Sequence, residues 1–185
     1  MVDVMEVAKF FIDYGEKSGN PMTNMRLNKL LYFAQGAYLA RTGSPLFDND
    51  FVAWTYGPVV CDVYDRYKQY GNATINESEM SFERNNFSEV EYETLLNVVC
   101  ACDDFTTSQL VKRSHRSGGA WDTTKKGSSK ESSKVINKER IREEFATVDI
   151  PNILTAAPSD VYNTRNAEGV LILPDGDDWP EYNAI

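Results

Sequence analysis

The chain has 185 residues, which is one domain, or one domain with a tail. Its 42% hydrophobic and 25% charged residues are those of an ordinary folded protein, and they exclude a disordered chain, a collagen and a disulfide miniprotein. The net charge of −9 argues against general nucleic-acid affinity, which depends on many phosphate contacts.

The first predicted helix covers residues 3–17. Val4, Val7, Ala8 and Phe11 fall on one face of a 3.6-residue turn, and Gly19, Asn20 and Pro21 stop it. The second starts at Thr23 as N-cap and runs to about Arg41, with Gly43 behind it. Leu27, Leu30, Leu31, Ala34 and Tyr38 make its main stripe, and Tyr32 and Phe33 widen the apolar surface beyond one face. It is therefore expected to be the central buried helix. Gly36 inside it costs roughly 1 kcal/mol against Ala and is expected to let another element pack closely.

Residues 51–56 are β-branched and aromatic and predict a short strand, with Gly57 as the turn. Pro58 is then expected at the first position of a helix, where its missing N–H costs nothing. Val60, Val63, Tyr64 and Tyr67 carry that helix's stripe, and Gly71 closes it. The polar residues 72–86 predict a loop or hairpin. Ser88 with Glu91 and Thr106 with Gln109 are two capping boxes, each with an apolar staple: Phe87 with Tyr92, and Phe105 with Leu110. They predict helices at about 88–102 and 106–115. Residues 117–119 break the chain before Trp121, and residues 122–134, without an apolar side chain, predict a solvated loop. Asn137 caps a last helix with Ile141 and Phe145 facing inward. Beyond Val148 lie four of the seven prolines, and residues 170–173 are a short strand or a docking segment.

The sum is a mainly α fold: a compact helical domain of about five to six helices, with a short β element and an extended acidic C-terminal arm. Residues 1–146 form the domain and 147–185 the extension. Charge is unevenly spread. Residues 112–142 carry ten Lys and Arg against three acids, whereas residues 149–185 carry seven acids against Arg165 alone. The two stretches can pair with each other or with partners of opposite sign.

Groups that carry chemistry are scarce. No apolar run reaches the ~18 residues of a membrane span. The N-terminus lacks the basic start of a secretory signal, so a cytoplasmic location is expected. Without secretion, the acceptor patterns at Asn72, Asn76 and Asn86 carry no glycan. Cys61, Cys100 and Cys102 are then reduced thiols, and with His115 as the only histidine they lack zinc spacing. No metal and no cofactor is expected. A Cys–His pair of Cys100 or Cys102 with His115 is the enzyme alternative, weakened because no second base is available. His115 reads better as a hydrogen-bonded helix-end residue. Asp103 and Asp104 read as a solvated helix junction. The basic stretch from Lys112 to Arg142 offers only Trp121 as a stacking aromatic before Phe145, so a solvated face is favoured over a nucleic-acid site.

The most unusual cluster is Trp54, Tyr56, Gly57 and Pro58, a tight turn that collects rigid aromatics. Core filling is the plainer reading of Trp54. A turn of this kind is also a protein-binding hot spot, which nominates Trp54, Tyr56, Pro58 and Val59 as partner contacts. Trp179 and Tyr182, in the acidic arm and far from any core segment, are nominated for docking.

Three pieces in this order and spacing carry a family resemblance: MTNMRLNKLLYFAQGAYLA (residues 22–40), GSPLF (residues 43–47) and AWTYGPVV (residues 53–60). They resemble the Panacea domain, also called SocA-like, whose phage-associated members are known as GepA. Ser108, Gln109 and Leu110, then Ser114, His115 and Trp121, and residues 136–145 agree more loosely. The resemblance covers residues 3–146, and its pattern positions include Leu27, Lys29, Leu30, Leu31, Trp54, Tyr56, Gly57, Pro58, His115 and Trp121. It implies a mostly α-helical antitoxin of a toxin–antitoxin pair, often prophage-borne, that neutralises its cognate toxin by direct binding, with no substrate chemistry and no catalytic residue to carry over. One member is an adaptor that delivers its toxin to a ClpXP-type protease, so that partner is implied as well. The alternative from a different class is a phage-associated regulator contacting nucleic acid through residues 112–142.

Overall fold

The computed structural model describes residues 1–76, 82–126 and 134–147. Trp179, Tyr182, the run 170–173 and the arm beyond Thr147 lie outside the described residues, as does Lys130.

Helix α1 (Val4–Ser18) begins where Asp3 Oδ1 accepts the Met5 N–H at 2.8 Å, and ends at Gly19 with φ 76°. Helix α2 (Asn24–Thr42) begins where Thr23 Oγ1 accepts the Arg26 N–H at 3.2 Å. It is the centre of the molecule: α1, α3, α4, α5, α7 and β2 all pack on it. Nearly every residue from Asn24 to Gly36 is buried, so the wide apolar surface is matched by neighbours on all sides.

Strands β1 (Phe51–Trp54) and β2 (Gly57–Val59) form an antiparallel hairpin, Trp54 facing Gly57 and Ala53 facing Pro58. Strand β3 (Val135–Ile136) pairs antiparallel with the other edge of β1, giving the order β2-β1-β3. The turn is Thr55–Tyr56, with Gly57 the first residue of β2 at φ 107°. Pro58 is therefore in a strand and does not start the helix expected there. Helix α3 (Cys61–Tyr67) begins three residues later, after Val60 in extended conformation. A proline tolerates this because β2 is an edge strand.

Helices α4 (Glu89–Cys102) and α5 (Thr107–Ser114) each open on the expected capping box. A second correction follows: residues 120–126 are not loop but helix α6 (Ala120–Lys126), with Trp121 and Asp122 buried. Its sequence lacks a second apolar anchor after Trp121, so periodicity does not announce it. Helix α7 (Lys138–Thr147) starts where Asn137 Oδ1 accepts the Glu139 N–H at 2.7 Å, with Ile141 and Phe145 inward. Seven α-helices thus appear among the described residues, beside the small sheet.

Gly36 is where α7 meets α2. A Cβ there would lie 2.4 Å from the Phe145 ring, so the absence of a side chain sets the interhelical distance. The main core runs through α1, α2, α4 and α7. A smaller cluster of Met25, Trp54, Val59, Tyr64 and Val111 lies where the hairpin meets α2, α3 and α5.

Candidate functional site

Helix α2 buries polar side chains as well as apolar ones, and each of those below reaches the backbone of a neighbouring segment. Asn24 donates to the Tyr64 carbonyl at 3.0 Å. Asn28 accepts the Val60 N–H at 2.9 Å and so supports the start of α3. Arg26 donates to the carbonyls of Cys102 and Phe105, holding the α4–α5 junction. Gln35 donates to the Phe47 carbonyl at 3.0 Å and accepts from the Leu46 and Phe47 amides. Loop backbone that crosses a dry core must find partners, and α2 supplies them.

Lys29 does the same for the hairpin. Its side chain is wholly buried, and Nζ donates to the Pro58 carbonyl at 2.9 Å. Burial lowers its pKa to about 7. Gly57 is fitted around it: a Cβ there would lie 2.7 Å from Ser114 Oγ and 2.8 Å from Lys29 Nζ. With φ 107° as well, only glycine suits this position.

The other wall joins Trp54, His115 and Trp121. Trp121 Nε1 donates to the Trp54 carbonyl at 2.9 Å. His115, the C-cap of α5, stacks on Trp121 with ring centroids 3.6 Å apart and planes 6° apart. It sits at the expected helix end, but the expected hydrogen bond is not there: neither ring nitrogen has a hydrogen-bond partner among the described residues, and the ring is held by stacking on the indole. Burial, and then the nearby Lys29 charge, push its pKa down to about 3. The imidazole is thus a neutral plate in the core. On the α7 side, Glu144 accepts from Tyr32 Oη at 2.7 Å and from the Ala120 N–H at 2.8 Å, which ties α2, α6 and α7 together.

The structure therefore brings the pattern positions Lys29, Trp54, Gly57, Pro58, His115 and Trp121 into one interior frame. Trp54 and Val59 are fully enclosed and Pro58 is buried, so none presents its side chain to a partner in this structure. Tyr56, at the hairpin turn, is the half-buried member of the nominated cluster and packs on the small apolar cluster. The polar anchors Asn24, Arg26, Asn28, Gln35 and Glu144 escaped the sequence reading. The signal of the four on α2 is polar residues set within a helix that is apolar on every side; Glu144, on the mostly polar α7, has none.

Burial pushes the Cys102 thiol up to about 12, the opposite of nucleophile activation. Among the described residues no group of three or more His, Cys, Asp or Glu is placed to hold a metal. Asp103 accepts from Asn20 at 3.0 Å at the end of α4. Several cations of the basic stretch are engaged within the domain: Arg116 with Glu144, Lys126 with Asp122, Lys138 with Asp50, and Arg113 over the Phe105 ring. No helix of the described residues is long and apolar enough to cross a membrane.

No solved structure matches this chain. Antitoxin SocA of Caulobacter vibrioides (strain NA1000 / CB15N) is 32% identical over 166 residues, an overlap of 81% of this chain and 88% of the relative. The family model described as "Antitoxin SocA-like, Panacea domain" matches residues 27–122. That span opens in α2 just before Lys29 and closes one residue beyond Trp121, so it encloses the whole hairpin–His–Trp frame. The chain belongs to the SocA-like antitoxin family, the Panacea domain.

Proposed function

We propose that this protein is the antitoxin of a toxin–antitoxin pair and neutralises one cognate toxin by direct protein–protein binding. One observation carries the reading beyond family membership: the family's pattern residues lock to each other in a closed interior. Such a frame supplies a rigid support for a surface, and partner recognition is then left to what stands on it.

Tyr56 is the first contact of this reading. It caps a hairpin whose base is fixed by Lys29 below and Trp121 beside it, so little side-chain entropy is lost when a partner covers it. Trp54, Pro58 and Val59 act through Tyr56 by holding its backbone. Trp179 and Tyr182, in the extension 147–185 that follows the domain 1–146, are the second contact. The finer reading keeps the protein in the cytoplasm, associates it with phage or prophage and allows it to hand its toxin to a ClpXP-type protease. Those points rest on the family resemblance.

The test is co-expression with the product of an adjacent gene whose lone expression stops growth. Tyr56→Ala and Trp179→Ala should keep the circular dichroism of the parent and weaken both rescue and toxin affinity. Full rescue by both folded variants would sink the site assignment. Failure to retain any stoichiometric protein from the native host would sink the antitoxin reading itself.

A further inference from the structure

Two adjoining hollows run along the face formed by α6, α7 and β3. The first, of about 450 Å³, is lined by Arg116 and Arg140 against Glu143 and Glu144, with Thr123 and Thr147, so the excess of positive charge lies in the second hollow. The second, of about 310 Å³, shares Thr123 and Arg140 and continues to Lys134 and Val135. Together they make one trough. It starts at Thr147, the last residue of α7 and the point where the C-terminal extension leaves the domain, and it ends at the β3 edge.

Three features of this trough ask for an occupant. Strand β3 is an outer strand of the sheet among the described residues, and an edge strand can recruit another strand. Val135 on it is 54% exposed, a large apolar side chain left in water. Arg140, shared by both hollows, is exposed and pairs with no acid among the described residues. The extension carries the complement. Residues 170–173 are Val, Leu, Ile and Leu, followed at once by Asp175, Asp177, Asp178 and Glu181. The 22 residues between Thr147 and Val170 make reach no constraint, since an extended chain covers ~3.3 Å per residue. Tethering also holds the segment at roughly millimolar effective concentration beside the trough.

We propose that the C-terminal extension docks in cis into this trough, residues 170–173 covering the β3 edge at Val135 and the acids of residues 175–181 meeting Arg140 and Lys134. The site is thus an acidic-apolar peptide site whose first occupant is the chain's own arm. It does not depend on the toxin reading, since it concerns the chain alone.

Zero-length carbodiimide cross-linking of the full chain at micromolar concentration, followed by peptide mass spectrometry of the monomer fraction, tests it. The expected product is an amide between Asp175, Asp177, Asp178 or Glu181 and Lys134. Its yield should fall about tenfold in 1 M salt and in Arg140→Glu, because the attraction is screened or reversed. Leu171→Ser combined with Ile172→Ser should lower it as well while leaving the reactive carboxylates in place. Links from these acids to lysines on other faces, such as Lys9 or Lys112, would overturn the proposal. So would links found only in cross-linked dimers, which would make a second copy the occupant, or an unchanged yield in both variants.

Discussion

Helices α1 and α2 look alike as strings of apolar residues, yet they are stabilised differently. α1 keeps one face in the core and most of its charges at the surface, where Lys9 pairs with Glu6, while the exposed Lys17 reaches in to the buried Asp13. α2 has no outside over most of its length. Its polar residues go inward and spend their hydrogen bonds on the backbone at 46–47, 58–60 and 102–105. A surface polar group exchanges one solvated state for another, whereas a buried one without its partner bears the full desolvation cost. The family's pattern therefore concentrates on α2 and on what α2 holds.

The contrast is broken most severely at Gln35. Gln35→Leu leaves the Phe47 carbonyl and the Leu46 and Phe47 amides without partners. At about 1–3 kcal/mol per buried unsatisfied group, a loss of about 3 kcal/mol or more is expected in urea unfolding. Gly36→Ala comes next. Its Cβ would press into the Phe145 ring and cost about 2 kcal/mol, although alanine favours a helix elsewhere. Phe145→Leu in the same chain should return part of that loss, since the two sites share one contact.

Titration gives a smaller effect and sharpens the comparison. The folded pKa of His115 lies at about 3, below its usual 6.5, so the stability of the neutral ring is complete above pH 6.5 and is lost as pH falls toward 3. Between pH 6.5 and 5.5 it should remove about 1 kcal/mol, a loss absent from His115→Phe in paired urea curves. Lys29 works in the same sense at higher pH: its contribution is complete above 10.5 and fades as pH falls toward about 7. The least effect belongs to α1. Lys9, partly exposed, makes an i,i+3 pair with Glu6, and Lys9→Ala should change stability by under about 0.5 kcal/mol. A larger loss there would erase the distinction between the two helices.

Much of the helical frame was legible in the sequence because its signals are local. Thr23, Ser88 with Glu91, Thr106 with Gln109, and Asn137 cap helices through contacts within three residues, and all stand where they were expected. Gly36 was legible for a related reason: a glycine inside a strong helix pattern has few uses other than close approach. The candidate site was less legible. Composition picked out Trp54, Tyr56, Gly57 and Pro58, yet Pro58 reads equally well as a helix start, and Trp54 as a contact or as core. Which reading holds depends on Lys29, 29 residues away, and on Trp121, 67 residues away.

The sequence by itself thus determined the helix starts and stops, the central place of α2 and the family, since these follow from short-range hydrogen bonding, apolar spacing and a motif in order. Only the tertiary structure decided that Pro58 lies in a strand, that residues 120–126 form a helix, and that Lys29, Gln35, His115 and Glu144 face inward. Glu144 shows why. Its carboxylate is placed by Tyr32, 112 residues earlier, and by the Ala120 amide. A polar side chain is stable in the core only if its partners are already there, and those partners are brought by the fold.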